Sequence, residues 1–337
     1  VSEPSGAAGS YGVCAQAPGR VNLLGEHTDY NEGFVLPMPL SQVTRVFAAR
    51  ADGVVEAHAE IFDERMARKL GGPRDGTWLD YIAGCVWALA QEGIEVPGAR
   101  FRIQRGVPPG AGLASSAALE VAVLRALRAL YEIPLDDLRL ALIAHRAEVE
   151  YVGVRCGVMD QIVASLGRAG QALFLDTRSL QCEWVPIPAG YRFKIVDSGH
   201  PRKLAEAGYN RRRAECEEAA ARLGARALRD LTPGDMERIA RLPEPLNRRA
   251  RHVVTENARV LAGVEALRAG DARTFGRLMV GSHRSLVEDY EVSTPELDRL
   301  VELAMEHGAL GARLTGAGFG GSVVALVTDV NGVALAG

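Results

Sequence analysis

The chain has few cysteines, and none is spaced to build a framework. Five thiols (Cys14, Cys85, Cys156, Cys182 and Cys216) are scattered over 337 residues with no C-x-x-C pair. That spacing argues against a disulfide scaffold or a structural zinc site, and for reduced thiols in a cytoplasmic protein. No apolar run approaches the ~20 residues a membrane-spanning helix needs. Residues 1–6 have neither the basic start nor the apolar stretch of a secretory leader. An excess of one charge is also missing: a net charge of −3 gives no electrostatic reason to expect nucleic acid or an anionic membrane as partner. There is no internal repeat or low-complexity linker. A G-x-x-x-x-G-K-[ST] sequence is absent too, so a P-loop fold is not expected. What remains is ordinary globular composition, 47% hydrophobic and 24% charged, in a length that suits two domains sharing one crevice.

Periodicity predicts a mixed order of strands and helices. Apolar runs at 21–24 and 34–36 flank an Asn-Glu-Gly turn and read as a hairpin. Helices are expected over 78–91, 115–130, 135–152 (with Pro134 near its start) and 158–166, and a strand over 101–103. Beyond these come strands at 171–175, 193–196 and 322–328, and long amphipathic helices over 209–223, 250–269 and 295–307. Without regular strand–helix alternation this is an α+β chain, not a doubly wound sheet or barrel. The domain boundary is expected near 170–176, giving units of 1–172 and 173–337.

Chemistry concentrates in four places. Residues 17–33 hold Arg20, Asn22, Glu26, His27, Asp29 and Tyr30 between apolar runs, and charged groups held so close call for a polar ligand. Two glycine-rich segments compete as phosphate sites. Gly316–Gly321 matches G-x-G-x-x-G, but a β-rich run follows it where a dinucleotide site needs a helix. Residues 108–118 (PPGAGLASSAA) instead feed small residues into a helix, whose free amides and dipole favour an anion. The competing reading is a loop ended by a serine N-cap. Glu148 closes an apolar stripe with Leu138, Ala141 and His145, so it is expected to be buried and to seek a cation. A pairing with Arg146 or Arg155 is the alternative. Asp160, in Cys156-Gly157-Val158-Met159-Asp160-Gln161, is either a first-turn helix aspartate or a reactive carboxylate. Arg211-Arg212-Arg213 reads as a solvated helix face, since three glutamates follow closely.

These motifs resemble, in order and over almost the whole chain, those of galactokinases among the GHMP kinases. Further matching segments are 176–180, 289–298 and 314–322. The resemblance implies a two-domain α+β fold, with an N-terminal domain like ribosomal protein S5 and a ferredoxin-like C-terminal domain, and the active site between them. It implies transfer of the γ-phosphoryl group of ATP to the C1 hydroxyl of α-D-galactose, with Mg²⁺ as cofactor and a monomeric state. Asp160 would be the catalytic base and Arg20 its partner; Glu26, His27, Thr28, Asp29, Gly157 and Tyr209 would contact the sugar. Gly110, Ala111, Gly112, Leu113, Ala114, Ser115 and Ser116 would hold the phosphates, Trp78 and Tyr81 the adenine, and Ser116 with Glu148 the metal. Such a Mg²⁺ would take few protein ligands, because substrate phosphates complete its shell.

Two departures stand out. Ala114 occupies a position where many relatives have a serine, and members usually continue past residue 337, so the C-terminal domain is expected to lack its last elements. A related sugar, such as N-acetylgalactosamine or arabinose, stays open as substrate. A non-catalytic galactose sensor is a weaker alternative, because Ser115-Ser116-Ala117-Ala118 runs without the interruption found in such sensors.

Overall fold

The structure is a computed structural model that describes residues 11–104, 106–200 and 205–329, with side chains of 205–207 left aside. The expectations about residues 1–6 and about the chain end lie outside those residues.

A five-stranded sheet is built from β1 (Val13–Asn22), β3 (Pro37–Arg50), β4 (Val54–Ala59), β5 (Glu64–Lys69) and β6 (Ala99–Gln104), in the order β1-β3-β6-β4-β5. Its pairs are antiparallel except β4 with β6. Helices α1 (Leu79–Gln91), α2 (Ser115–Leu130), α3 (Asp137–Arg146) and α4 (Met159–Leu166) complete this half. Leu119, Val123, Leu124 and Leu127 of α2 pack with Val46, Phe101 and Ile103 of the sheet. The second half has β9 (Tyr191–Asp197), β10 (Gly311–Thr315) and β11 (Ser322–Thr328), in the order β10-β11-β9. Its helices are α5 (Ala205–Arg222), α6 (Met236–Ala240), α7 (Leu246–Arg268), α8 (Ala272–Glu288) and α9 (Pro295–Glu306). Among the described residues no helix is long and apolar enough to cross a membrane.

The expected hairpin is larger than its sequence signal. β1 and β3 pair from Val13↔Ala48 to Asn22↔Pro37, so residues 23–36 form one long loop between them. Inside it β2 (Phe34–Val35) turns away and joins β7 (Gln171–Asp176), which in turn pairs with β8 (Cys182–Pro186). Leu173 and Leu175 of β7 pack with Ile162 and Val163 of α4. The expected boundary between 172 and 173 falls inside β7, and Ala172 and Val185 of β7 and β8 pack with Val260 and Phe275 of the second half, so these strands contact both halves. The loop's apolar edges dock across that boundary, Leu23 and Leu24 meeting Val260, Val264 and Phe275.

Two elements differ in kind from their prediction. The helix expected over 135–152 is α3 followed by a π-helical turn, Ala147–Val152, an irregularity frequent at functional sites. Helix α8 is an element that the periodicity does not predict; Phe275, Met279, Ser282 and Leu286 are buried on it. A Cβ on Gly276 would lie 2.2 Å from the Leu310 carbonyl oxygen, so this glycine serves close helix–strand packing.

Candidate active site

A register shift in β1 between Pro18 and Arg20 is where the site begins, since bulges re-aim side chains. Gly19 lies against the glycine-rich loop, and a Cβ there would come within 2.6 Å of the Leu113 carbonyl oxygen. The next residue, Arg20, is 5% exposed. Its Nε and Nη2 donate to the two oxygens of Asp160 at 2.8 and 2.7 Å, and Nη1 donates to the Gly112 carbonyl. Burial works against the guanidinium's proton, yet the Asp160, Glu26 and Asp29 carboxylates outweigh it and raise the Arg20 pKa. A bidentate pair of this kind fixes both orientation and charge.

Arg20 and Asp160 face a cavity of about 240 Å³, which also brings together Glu26, His27, Asp29, Gly157 and Tyr209. Gly157 is required by contact: a Cβ would sit 2.0 Å from Asp29 Oδ2. Asp29 titrates at about 7, raised first by burial and then by Asp160. His27 is 3% exposed, with a left-handed φ of 64° and no hydrogen-bond partner at Nε2. Burial, followed by the neighbouring His252, holds its pKa well below the usual value. Burial likewise raises the Tyr209 phenol. Glu26 Oε1 accepts from the Gly316 amide at 2.6 Å and the Thr315 hydroxyl at 3.2 Å, so one oxygen of this expected sugar contact is held by the second domain.

Thr28 is not among the residues that line the cavity. Its hydroxyl engages the Gly25 and Phe34 carbonyls at 2.8 and 2.6 Å, which shapes the loop.

The segment Gly110, Ala111, Gly112, Leu113, Ala114 leads straight into α2. Ala114 is the N-cap residue, with φ 58° and no side-chain capping bond. The serine N-cap reading is thereby corrected: the first amides of α2 carry no side-chain cap, which suits an anion. Ser322 Oγ donates to the Ala111 carbonyl at 2.8 Å, tying the loop to β11. Ser115 and Ser116 line a groove of about 470 Å³ together with Trp78, Tyr81, Phe62 and Glu64. Tyr81 lines the cavity as well, so groove and cavity adjoin. A larger cavity, about 700 Å³, lies against Ala83, Val86, Trp87 and Ala90 of α1 and holds none of the expected site residues.

Glu148 sits on the π-helical turn and is 6% exposed. It accepts from Ser116 Oγ at 3.0 Å and from Gln161 Nε2, whereas Arg146 and Arg155 pair with Glu150 and Glu217 instead. Gln161 also reaches the fully buried Glu120 at 3.2 Å, whose Oε1 has no hydrogen-bond partner among the described residues. Burial, then Asp160, lifts Glu148 to about 7; burial and Glu148 lift Glu120 well above the carboxylate range. Two carboxylates and a hydroxyl form a donor set suited to a hard divalent ion. Among the described residues no group of three or more His, Cys, Asp and Glu could hold a metal alone, so other oxygens would have to complete the shell, which Mg²⁺ accepts.

Several site residues were not anticipated. Cys156, Asn210, Gly316 and Ala317 line the cavity, and Gln161 and Glu120 surround Glu148. Gly316 and Ala317 lie in the 314–322 segment, and Cys156 and Gln161 in the motif around Asp160, so both places carry a signal although the sequence assigns these residues no role. Arg212 is a correction: it is 8% exposed, and its guanidinium donates to the Tyr290 carbonyl at 2.6 Å and the Glu291 carbonyl at 3.0 Å, so the arginine run is not wholly solvated.

Comparison with known proteins defines the class first. Models of the GHMP kinase N-terminal domain and C-terminal domain match residues 80–168 and 264–336, so fold and sequence agree on a GHMP kinase. The galactokinase galactose-binding signature matches residues 6–50. The chain is 45% identical to galactokinase of Thermococcus kodakarensis over 95% of its length and 90% of that protein. To galactokinase of Roseiflexus it is 48% identical over 94% and 83%. The crystal structure of Lactococcus lactis galactokinase complexed with galactose superposes with a TM-score of 0.92 at 35% identity, covering 96% and 88% of the two chains. Methanococcus jannaschii mevalonate kinase, at 20% identity and TM-score 0.70, shares the fold. The chain belongs to the galactokinase family, whose members are ATP-dependent sugar kinases.

Proposed function

We propose that the chain transfers the γ-phosphoryl group of ATP to the anomeric hydroxyl of D-galactose, giving galactose 1-phosphate and ADP. The observation that carries this reading is the bidentate Arg20–Asp160 pair, placed where the polar cavity meets the glycine-rich loop. Asp160 accepts the proton of the sugar hydroxyl. Arg20 holds that carboxylate in place and offsets negative charge on the phosphoryl group in transit. His27, Asp29, Glu26 and Tyr209 orient the sugar; the uncapped amides of α2 and residues 110–116 receive the phosphates. Trp78 and Tyr81 line the groove for the base. Ser116 and Glu148 would hold Mg²⁺, which neutralises phosphate charge when bound. Five free thiols support a reduced, cytoplasmic setting.

Phosphoryl transfer needs alignment, neutralised charge and a place for one proton, and each has a residue here. Asp160→Ala should lower kcat by about 10²–10⁴-fold, the range for removing a positioned base, while galactose binding stays measurable by titration calorimetry. Near-normal turnover would show that the base is assigned wrongly. Rates with galactose, N-acetylgalactosamine, arabinose and glucose then decide the sugar.

A further inference from the structure

Behind the cavity runs a hydrogen-bonded chain of two phenols and a thiol that no step of the reaction uses. His27 Nδ1 lies 2.9 Å from the Tyr30 hydroxyl, which lies 2.8 Å from the Tyr290 hydroxyl, which lies 3.0 Å from Cys216 Sγ. Tyr290 is 0% and Cys216 1% exposed, so bulk water does not compete for these two groups, and Tyr30 is half-buried. His27 lines the cavity, and its other ring nitrogen, Nε2, is buried without a hydrogen-bond partner among the described residues.

We propose that Cys216, Tyr290 and Tyr30 fix the tautomer of His27, keeping the proton on Nε2 and presenting the ring to the substrate as a hydrogen-bond donor. Each contact could run either way, but the chain as a whole has only two consistent directions. In one, the thiol donates to Tyr290, Tyr290 to Tyr30, and Tyr30 to Nδ1. Both phenol protons and the thiol proton are then used, the Nε2 proton alone is left for a ligand, and the bond to the ring is phenol to imidazole nitrogen, the best donor–acceptor match available. In the other, Nδ1–H donates to a phenol oxygen, the chain ends on sulfur, a weak acceptor, and the thiol proton is left over. The surroundings favour the first direction. Burial raises the Cys216 pKa to about 11, so the thiol keeps its proton, and the Asn31 side chain supplies a hydrogen bond to its sulfur. Burial also keeps both tyrosines protonated. The Ala317 backbone, in the cavity wall, favours a protonated ring without meeting hydrogen-bond geometry at Nε2.

The consequence for specificity rests on reading the cavity as the sugar site: the atom facing His27 must be an acceptor. Tyr30, Tyr290 and Cys216 touch no substrate in this scheme and act as positioning residues.

The test begins with the free, full-length enzyme, so it does not depend on that reading. With ¹⁵N-labelled histidine, two-bond correlation spectra report which ring nitrogen carries the proton. The wild-type His27 signal, assigned with His27→Gln, should show a protonated Nε2 and an acceptor Nδ1. Tyr30→Phe should give a mixture of tautomers, and Tyr290→Phe a smaller change in the same direction. A wild-type ring protonated at Nδ1 overturns the proposal, as does an Nε2-protonated ring that Tyr30→Phe leaves unchanged. Galactose kinetics come second: Tyr30→Phe should raise KM by about 5–10-fold, the scale of one hydrogen bond, with a smaller effect on kcat. If the tautomer behaves as expected but galactose neither binds nor shifts the ring signals, the sugar assignment fails and the relay stands.

Discussion

Replacing Asp29 by asparagine tests how much stability the cavity costs the fold. The carboxyl is half-buried in the cavity wall beside Asp160 and titrates at about 7 instead of 3.8, with desolvation the main cause. Asparagine has the same shape and can still accept the Tyr30 amide, which lies 3.0 Å from Asp29 Oδ1. Below about pH 4 both folded and unfolded chains hold the Asp29 proton, and the group contributes nothing to stability. Between about pH 4 and 7 only the folded state keeps it, so stability falls as pH rises; above about 7 the whole cost is present. Roughly three pKa units correspond to about 4 kcal/mol. Water in the cavity and the Arg20 guanidinium screen part of this, and about 2 kcal/mol is the expected remainder. Asp29→Asn should therefore melt with the wild type at about pH 3.5, below the range where the two states differ in protonation, and several degrees above it at about pH 8, while losing affinity for galactose. Scanning calorimetry across that range and titration with galactose read the two effects. A melting difference equal at both pH values, or a variant less stable at both, refutes the burial argument.

Gly157→Ala should act on the sugar more than on the fold. The new methyl would lie 2.0 Å from Asp29 Oδ2, and relieving such overpacking costs about 1–3 kcal/mol. We expect galactose KM to rise by about 10-fold or more with only a modest fall in Tm; unchanged KM would mean that the loop gives way freely. Glu256→Gln should act on the fold and on its acid limit. This carboxylate is fully buried and titrates at about 2: burial opposes ionisation, but Arg259 and Arg313 prevail. It accepts from the Gly25 amide at 2.8 Å and from Ser282 Oγ at 2.7 Å. Because its folded pKa lies below the unfolded value, its contribution is full above about pH 4.5 and fades as pH falls toward about 2. The variant should lose about 3–5 kcal/mol near neutral pH and approach the wild type in acid. Denaturant unfolding across that range checks this, and a pH-independent loss would contradict it.

Much of this molecule could be read from local patterns. Helix α2 and strand β11 fall where the sequence placed them, because both signals are one-dimensional: an apolar period after a glycine-rich loop, and a β-branched run after glycines. Strand β5 was missed because it lies at the sheet edge and carries Glu64, Arg65, Arg68 and Lys69, the charged composition that protects edges and hides them from a hydrophobic search. Glu120 was missed for the opposite reason. It lies inside an apolar helix, and only the three-dimensional approach of Gln161 and Glu148 explains a carboxylate there. Thr28 spends its hydroxyl on the loop itself, which its place among polar neighbours does not show.

The polar stretch at 17–33 is better understood as a joint than as one wall of a pocket. Glu26 Oε1 meets Gly316, Thr315 and the fully buried Arg313, the last at 3.3 Å. Arg313 and Thr315 also donate to the Asn22 carbonyl, and Leu23 and Leu24 are buried with Val260, Val264 and Phe275. Pulling the halves apart along this seam would strand a buried carboxylate and expose leucines at once, and both penalties are steep. His27 and Asp29 are therefore carried on a loop already fixed to the second domain before any ligand arrives. The phosphate side meets the second domain through the Ser322–Ala111 hydrogen bond and the packing of Ile195 with Val107, Ala111 and Leu113, with no buried charge in that contact. Adjustment during turnover should fall there, at residues 108–114, and leave the sugar-facing groups in place.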